Sequence, residues 1–257
     1  MKIFFIATVL SIVGQTSLAG DLIRISVVDT GFSPRPRMAS PHFCSRGHRD
    51  LTSSRTPENQ VPRDTDGHGS HIIYTIAEQL KKINNDKYCF IVIKYYEPKI
   101  SAEENVDRSA RAYSISIDEK ADIINYSSSG AASAEKERLV VLSALERGIK
   151  IVTAAGNGLN NKGQVAAYIA VPGDEMPLAL GIPVTETYPG GYDSRVVVVG
   201  NLNKDGSRHE MSNYGSRVDA WEIGTNIKQG GLVLSGTSQA TAVHTGKMVA
   251  DIINGRN

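Results

Sequence analysis

Apolar residues in this 257-residue chain fall into two kinds of block, and the kinds alternate. One kind is a nearly continuous apolar run: Leu22 to Val28, Cys89 to Tyr95, Ala121 to Asn125, Ile149 to Ala155 and the β-branched Val196 to Val199. Short runs of this sort, bounded by Asp, Asn or Gly, suit strands buried on both faces. The other kind repeats at three and four residues. Ile72, Ile73, Ile76, Ala77 and Leu80 predict a helix that opens at Gly67-His68. Residues 103–117 predict a second helix. Residues 134–147 predict a third, with Leu139, Leu142 and Leu145 inward and Gly148 as its C-cap. Val218 to Trp221 and Leu232 to Leu234 read as short strands, and Thr237 to Ile253 as a closing helix. Strands alternating with helices predict an α/β fold, a three-layer α/β/α arrangement around a mostly parallel central sheet.

One stretch breaks the pattern. Residues 30–66 hold Pro34, Pro36, Pro41, Pro57 and Pro62 and show no period, so they predict a long loop, either functional or partly mobile. Arg35, Arg37, Arg46, Arg49, Arg55 and Arg63 make it either a solvated loop or a docking surface for an acidic partner.

The first residues form an export signal by composition. Lys2 precedes the apolar stretch Ile3 to Val13, and Ser17-Leu18-Ala19 is a small-x-small cleavage site before Gly20. The expected division is a signal peptide at 1–19 and a single domain at 20–257. The apolar stretch is shorter than the about 20 residues that span a bilayer, so no stable membrane insertion is expected. The product would be exported, either secreted or periplasmic. In such a compartment Cys44 and Cys89 could pair, or they could remain two buried thiols. With 40% hydrophobic and 21% charged residues the chain has the make-up of a globular protein. A net charge of +1 gives no reason to expect a nucleic-acid partner.

Three polar segments carry candidate chemistry. Val27-Val28-Asp29-Thr30-Gly31 ends a strand, Asp66-Gly67-His68-Gly69-Ser70-His71 opens a helix, and Ser235-Gly236-Thr237-Ser238-Gln239-Ala240 opens another. A serine hydroxyl needs a base to take its proton as it attacks, and imidazole suits that task near neutral pH. A carboxylate on the far ring nitrogen fixes the tautomer and stabilises the imidazolium. The roles assign as Ser238 nucleophile, His68 base and then acid, and Asp29 orienter. His71 competes with His68, which is preferred because it stands between two glycines at the helix start. Alone, each segment has a plainer reading: a strand end, a surface histidine, an N-cap serine.

Together these segments, in the order Asp…His…Ser, resemble the subtilisin-like serine peptidases (subtilases). The resemblance extends to Asn125-Tyr126-Ser127-Ser128-Ser129-Gly130, similar to the family's substrate-binding strand, and to Ala154-Ala155-Gly156-Asn157, where the family keeps its oxyanion asparagine. It implies that Asn157 donates to an oxyanion. It also implies that Ser127, Ser128, Ser129, Gly130, Ala154, Ala155 and Gly156 contact an extended polypeptide substrate by strand addition. The expected activity is that of an exported serine endopeptidase without a cofactor. Asp64 and Asp66 alone are weak evidence for calcium, so no metal site is expected.

The departures are specific. Ser129-Gly130 stands where the family has Gly-Gly, Ser70 replaces a threonine, and residues 159–187 have no counterpart and are expected to shape the primary pocket. About ten residues separate Gly20 from Asp29, which predicts a minimal catalytic domain without an N-terminal prodomain. Its folding or control would then be unaided or fall to an inhibitor or activator protein acting in trans. The alternatives are a subtilase-fold binding or regulatory protein with a closed site, and an acyl transferase using the same residues.

Overall fold

The computed structural model describes residues 22–83, 87–128, 135–157, 196–214 and 218–256. Strand β1 (Ile23–Asp29) pairs in parallel with β3 (Tyr88–Lys94) on one side and β4 (Ile123–Tyr126) on the other. The sheet extends through β2 (Arg49–Asp50) beyond β3, and through β5 (Lys150–Ala154), β6 (Val196–Leu202) and β7 (Ala220–Ile223) beyond β4. The order β2-β3-β1-β4-β5-β6-β7 is parallel throughout. This is the expected α/β architecture.

Successive strand residues feed opposite layers, as a pleated backbone requires. Val27, Phe90 and Val92 pack with helix α1 (His68–Gln79) and the closing helix α4 (Thr237–Ile253) through Ile72, Ile73, Ile76 and Val249. Val28, Ile91 and Ile93 pack with α2 (Ala102–Asp118) and α3 (Glu135–Glu146) through Tyr113, Val141 and Leu145. The chain leaves β1 for β3 and later returns to place β4 on β1's other edge. The carboxyl ends of β1 and β4 therefore flank a topological switch point, where open α/β sheets form their crevices.

The predicted inward face of α3 is corrected. Leu139 is 54% exposed and Leu142 only half-buried, while Glu137, Val141, Ala144 and Leu145 are buried. Ser109 of α2 donates to Glu137 Oε1 at 2.7 Å, which turns that carboxylate inward and rolls the leucine out. Gly148 does close the helix, at φ +78°. The strand expected at 218–221 lies at Ala220–Ile223 instead. A hairpin strand, β8 (Ile227–Gln229), pairs antiparallel with β9 (Leu232–Leu234) across Gly230-Gly231, both at positive φ.

The 30–66 segment is irregular but firmly tied. Phe43 and Phe32 make isolated bridges to Phe90 and Arg63, and β2 joins the sheet edge. Cys44 and Cys89 form a disulfide. Beside it, the Val92 N–H donates to His48 Nδ1, so the Nε2 proton of that buried ring goes to the Cys44 carbonyl. Among the described residues, no helix is long and apolar enough to cross a membrane.

Candidate active site

Asp29 is the last residue of β1 and is buried, and its neighbours explain how a helix reaches it. Gly69, in the first turn of α1, lies so close to the Thr30–Gly31 turn that a Cβ there would stand 2.4 Å from the Gly31 carbonyl oxygen. Only glycine allows that approach, and it brings the preceding His68 over Asp29. His68 Nδ1 lies 2.8 Å from Asp29 Oδ1 and 3.0 Å from Oδ2. Because a carboxylate only accepts, Nδ1 carries the proton and Nε2 is left as the basic nitrogen.

Asp64 holds this junction together. Its carboxylate accepts from the N–H groups of Asp66, Gly67 and Ser70 and from the hydroxyls of Thr30 and Ser70. It caps the orphan donors at the start of α1 while gripping the residue after Asp29. Burial alone would raise the Asp64 pKa, but the hydrogen bonds from Ser70, Gly67 and Thr30 outweigh it and hold the group below the ordinary value. The sequence offered Asp64 only as weak evidence for calcium; its role at this junction comes from bonds to both Thr30 and the start of α1, which no local pattern reveals.

Burial is the largest influence on His68 and disfavours its charge, yet the Asp29 carboxylate, by charge and hydrogen bond, and then Asp66 and Asp64 raise the pKa above 6.5. The ring keeps 29% of its side-chain surface exposed to the cleft, so solvent softens the burial effect. The rival histidine faces elsewhere. His71 Nε2 meets the Ile227 carbonyl at 3.0 Å, and burial lowers its pKa.

Ser238 lies in the first turn of α4. Its hydroxyl donates to the Ser127 carbonyl at 2.9 Å, and no hydrogen bond links it to His68 among the described residues. Ser127 replies through its own hydroxyl, which donates to the Ser238 carbonyl at 3.1 Å. Asn157 sits beside the same turn. Its Oδ1 accepts from the Thr237 N–H at 3.2 Å and from Thr237 Oγ1 at 3.3 Å. That leaves the Nδ2 amide hydrogens as the donors Asn157 can offer a ligand.

Ala154 ends β5. Ala155 donates to the Val199 carbonyl, and the carbonyls of Ala155 and Gly156 accept from the side chain and main chain of Asn213. These residues buttress the turn that carries Asn157. Ser127 and Ser128 line a cleft of about 240 Å³ with His68, Tyr95 and Tyr96, completed by Asp29, Thr30 and Asp66. The tyrosines were absent from the sequence-level site because nothing in their spacing links them to it. Ser129, Gly130 and the 159–187 stretch lie outside the described residues. Among the described residues there is no group of three His, Cys, Asp or Glu side chains that could hold a metal ion.

A family model for the subtilases matches residues 20–257. An intracellular serine protease of Paenibacillus polymyxa is 28% identical over 230 residues, covering 85% of this chain and 63% of that protein. The minor extracellular protease Epr of Bacillus subtilis (strain 168) is 27% identical over 247 residues, covering 92% of this chain but 33% of that protein. The chain thus spans between a third and two thirds of the length of these relatives. A crystal structure of a cold-adapted subtilisin-like serine proteinase superposes with a TM-score of 0.63 at 20% identity, over 94% of this chain and 78% of the other. That likeness shows the fold. The match across residues 20–257 establishes that the chain belongs to the subtilase family.

Proposed function

We propose that the chain is an exported serine endopeptidase that cleaves peptide bonds through an acyl-enzyme on Ser238. The observation that carries this reading is the Asp29–His68 hydrogen bond, at a switch-point cleft lined also by Ser127, whose carbonyl accepts the Ser238 hydroxyl.

The steps follow from the residues. An extended substrate lies along the end of β4 at Ser127 and Ser128. The Ser238 hydroxyl turns from the Ser127 carbonyl to His68 Nε2, gives up its proton and attacks the scissile carbonyl carbon. The carbonyl π pair moves onto oxygen, which the Asn157 amide and the Ser238 N–H stabilise at the positive end of α4. The imidazolium, held by Asp29, then protonates the leaving amine as the C–N bond breaks. Water, deprotonated by His68, repeats the attack on the ester, and the imidazolium gives that proton to Ser238 Oγ as the acyl C–O bond breaks and the acid is freed. No cofactor enters these steps.

Labelling with a fluorophosphonate tests the nucleophile. An adduct on Ser238, with casein hydrolysis abolished by Ser238→Ala, is the expected result, and folded protein without an adduct would sink the proposal. Export is supported by the signal-like residues 1–19 and by the Cys44–Cys89 disulfide. Secreted product beginning at Gly20 checks it.

A second reading, a regulatory protein with a closed site, takes its support from the Ser238 hydroxyl resting on Ser127. Casein cleavage without any added activator would dispose of it. A requirement for a protein acting in trans would favour it.

A further inference from the structure

A line of side-chain hydrogen bonds runs from the middle of α4 back to its first turn by way of β4. Thr245 Oγ1 donates to Asn125 Oδ1 at 2.8 Å, Asn125 Nδ2 donates to Ser127 Oγ at 3.0 Å, and Ser127 Oγ donates to the Ser238 carbonyl at 3.1 Å. The Ser238 hydroxyl closes the circuit on the Ser127 carbonyl. Thr245 and Asn125 are fully buried and Ser127 is 5% exposed. Each hydroxyl has one proton to give and the amide has distinct donor and acceptor ends, so the bonds run in one direction.

Apolar packing of α4 on the sheet is non-directional and does not by itself define where the first turn stops along β4. Hydrogen bonds in a dry interior do, because a shift of a few tenths of an ångström costs them geometry. Reactive positions tolerate about 0.5 Å, and a displacement of about 1 Å can cost about 100-fold in rate.

We infer that Asn125, Ser127 and Thr245 are positioning residues that set the height and rotation of Ser238 against the strand end where substrate lies. The inference rests on Ser238 being the nucleophile. None of the three needs to touch the reacting carbonyl. They act through the Ser238 main chain, and Ser127 alone also borders the cleft.

The test compares Asn125→Ala, Thr245→Val and Thr245→Ser with wild type in two assays: the rate of labelling by a small fluorophosphonate, and peptide hydrolysis. The small reagent makes few strand contacts, so its rate reports the placement of Ser238 rather than substrate binding. Asn125→Ala and Thr245→Val are expected to slow labelling and kcat together by roughly 10- to 100-fold while KM moves less than about threefold. Thr245→Ser, which keeps the hydroxyl, should restore most of the rate. The pair Asn125→Ala/Thr245→Val should be hardly slower than the worse single variant, since both cut one line of bonds. If Asn125→Ala fails to fold, the near-isosteric Thr245→Val against Thr245→Ser decides alone. Variants that lose thermal stability yet label at the wild-type rate would reduce the network to a structural role and overturn the inference. A wild type that labels, with variants that label equally fast, refutes only the positioning role. A wild type that never labels removes the nucleophile and this inference with it.

Discussion

Removing the disulfide should lower stability without harming the site, and the size of the loss can be worked out. Cys44 and Cys89 are 45 residues apart in sequence. Closing a loop of that length removes roughly 13 cal/mol/K of unfolded-state entropy, about 4 kcal/mol at 25 °C. A domain of this size shifts by about 2–4 °C per kcal/mol, so Cys44→Ala/Cys89→Ala should melt about 8–16 °C lower. The native state should barely change, because the same segment is already held by other bonds. Cys44 N–H donates to the Phe90 carbonyl, Phe90 N–H to the His42 carbonyl, and His48 bridges Cys44 and Val92. The site is also distant: β1 pairs Arg24 with Cys89 but Asp29 with Lys94, five residues further, about 16 Å along the strand. Scanning calorimetry beside peptide kinetics at 25 °C is the assay. Melting within about 3 °C of wild type would refute the entropic accounting. A large fall in kcat/KM would refute the independence of site and crosslink.

The remaining predictions concern the site. Asn157→Ala should lower kcat by about 10²–10³ with KM little changed, the size expected for one oxyanion donor. An equal loss confined to KM would contradict that role. Asp29→Asn should lower kcat by about 10⁴, because an amide no longer enforces the Nδ1–H tautomer. Activity needs neutral His68, whose pKa is raised by Asp29, so kcat/KM should rise with pH through a limb above 6.5, and a limb at or below that value would refute the coupling. Asp64 has the opposite sign. Its folded pKa is depressed, so the stability it adds is present above about pH 3.9 and lost as pH falls through the lower folded value. Asp64→Asn should therefore cost about 2–3 kcal/mol at neutral pH, and a denaturant series should show that difference shrinking in acid. A difference independent of pH would show that the carboxylate charge is not what matters.

Much of the fold was readable one segment at a time. The apolar runs at β1, β3 and β5 and the spacing in α1 and α4 carry their own period, so local pattern and global placement agree. The face of α3 was not readable. Leu139, Leu142 and Leu145 make as good a stripe as Glu137, Val141 and Leu145, and the decision came from Ser109 on another helix. The two-residue β2 has no period at all and exists only because β3 offers it an edge.

By itself, then, the sequence determined which residue types were available and in what order: a carboxylate ending a strand, a histidine and a serine each opening a helix, and glycines where chains must meet closely. Tertiary structure alone decided what those groups touch. Gly69 against Gly31 brings His68 rather than His71 onto Asp29. Asp64 fastens that junction, and Asn125 ties the Ser238 turn to a strand more than a hundred residues earlier. The physical reason is range. Periodicity and capping act within one element, whereas a hydrogen bond between buried side chains requires two distant backbones to have been brought within about 3 Å by packing.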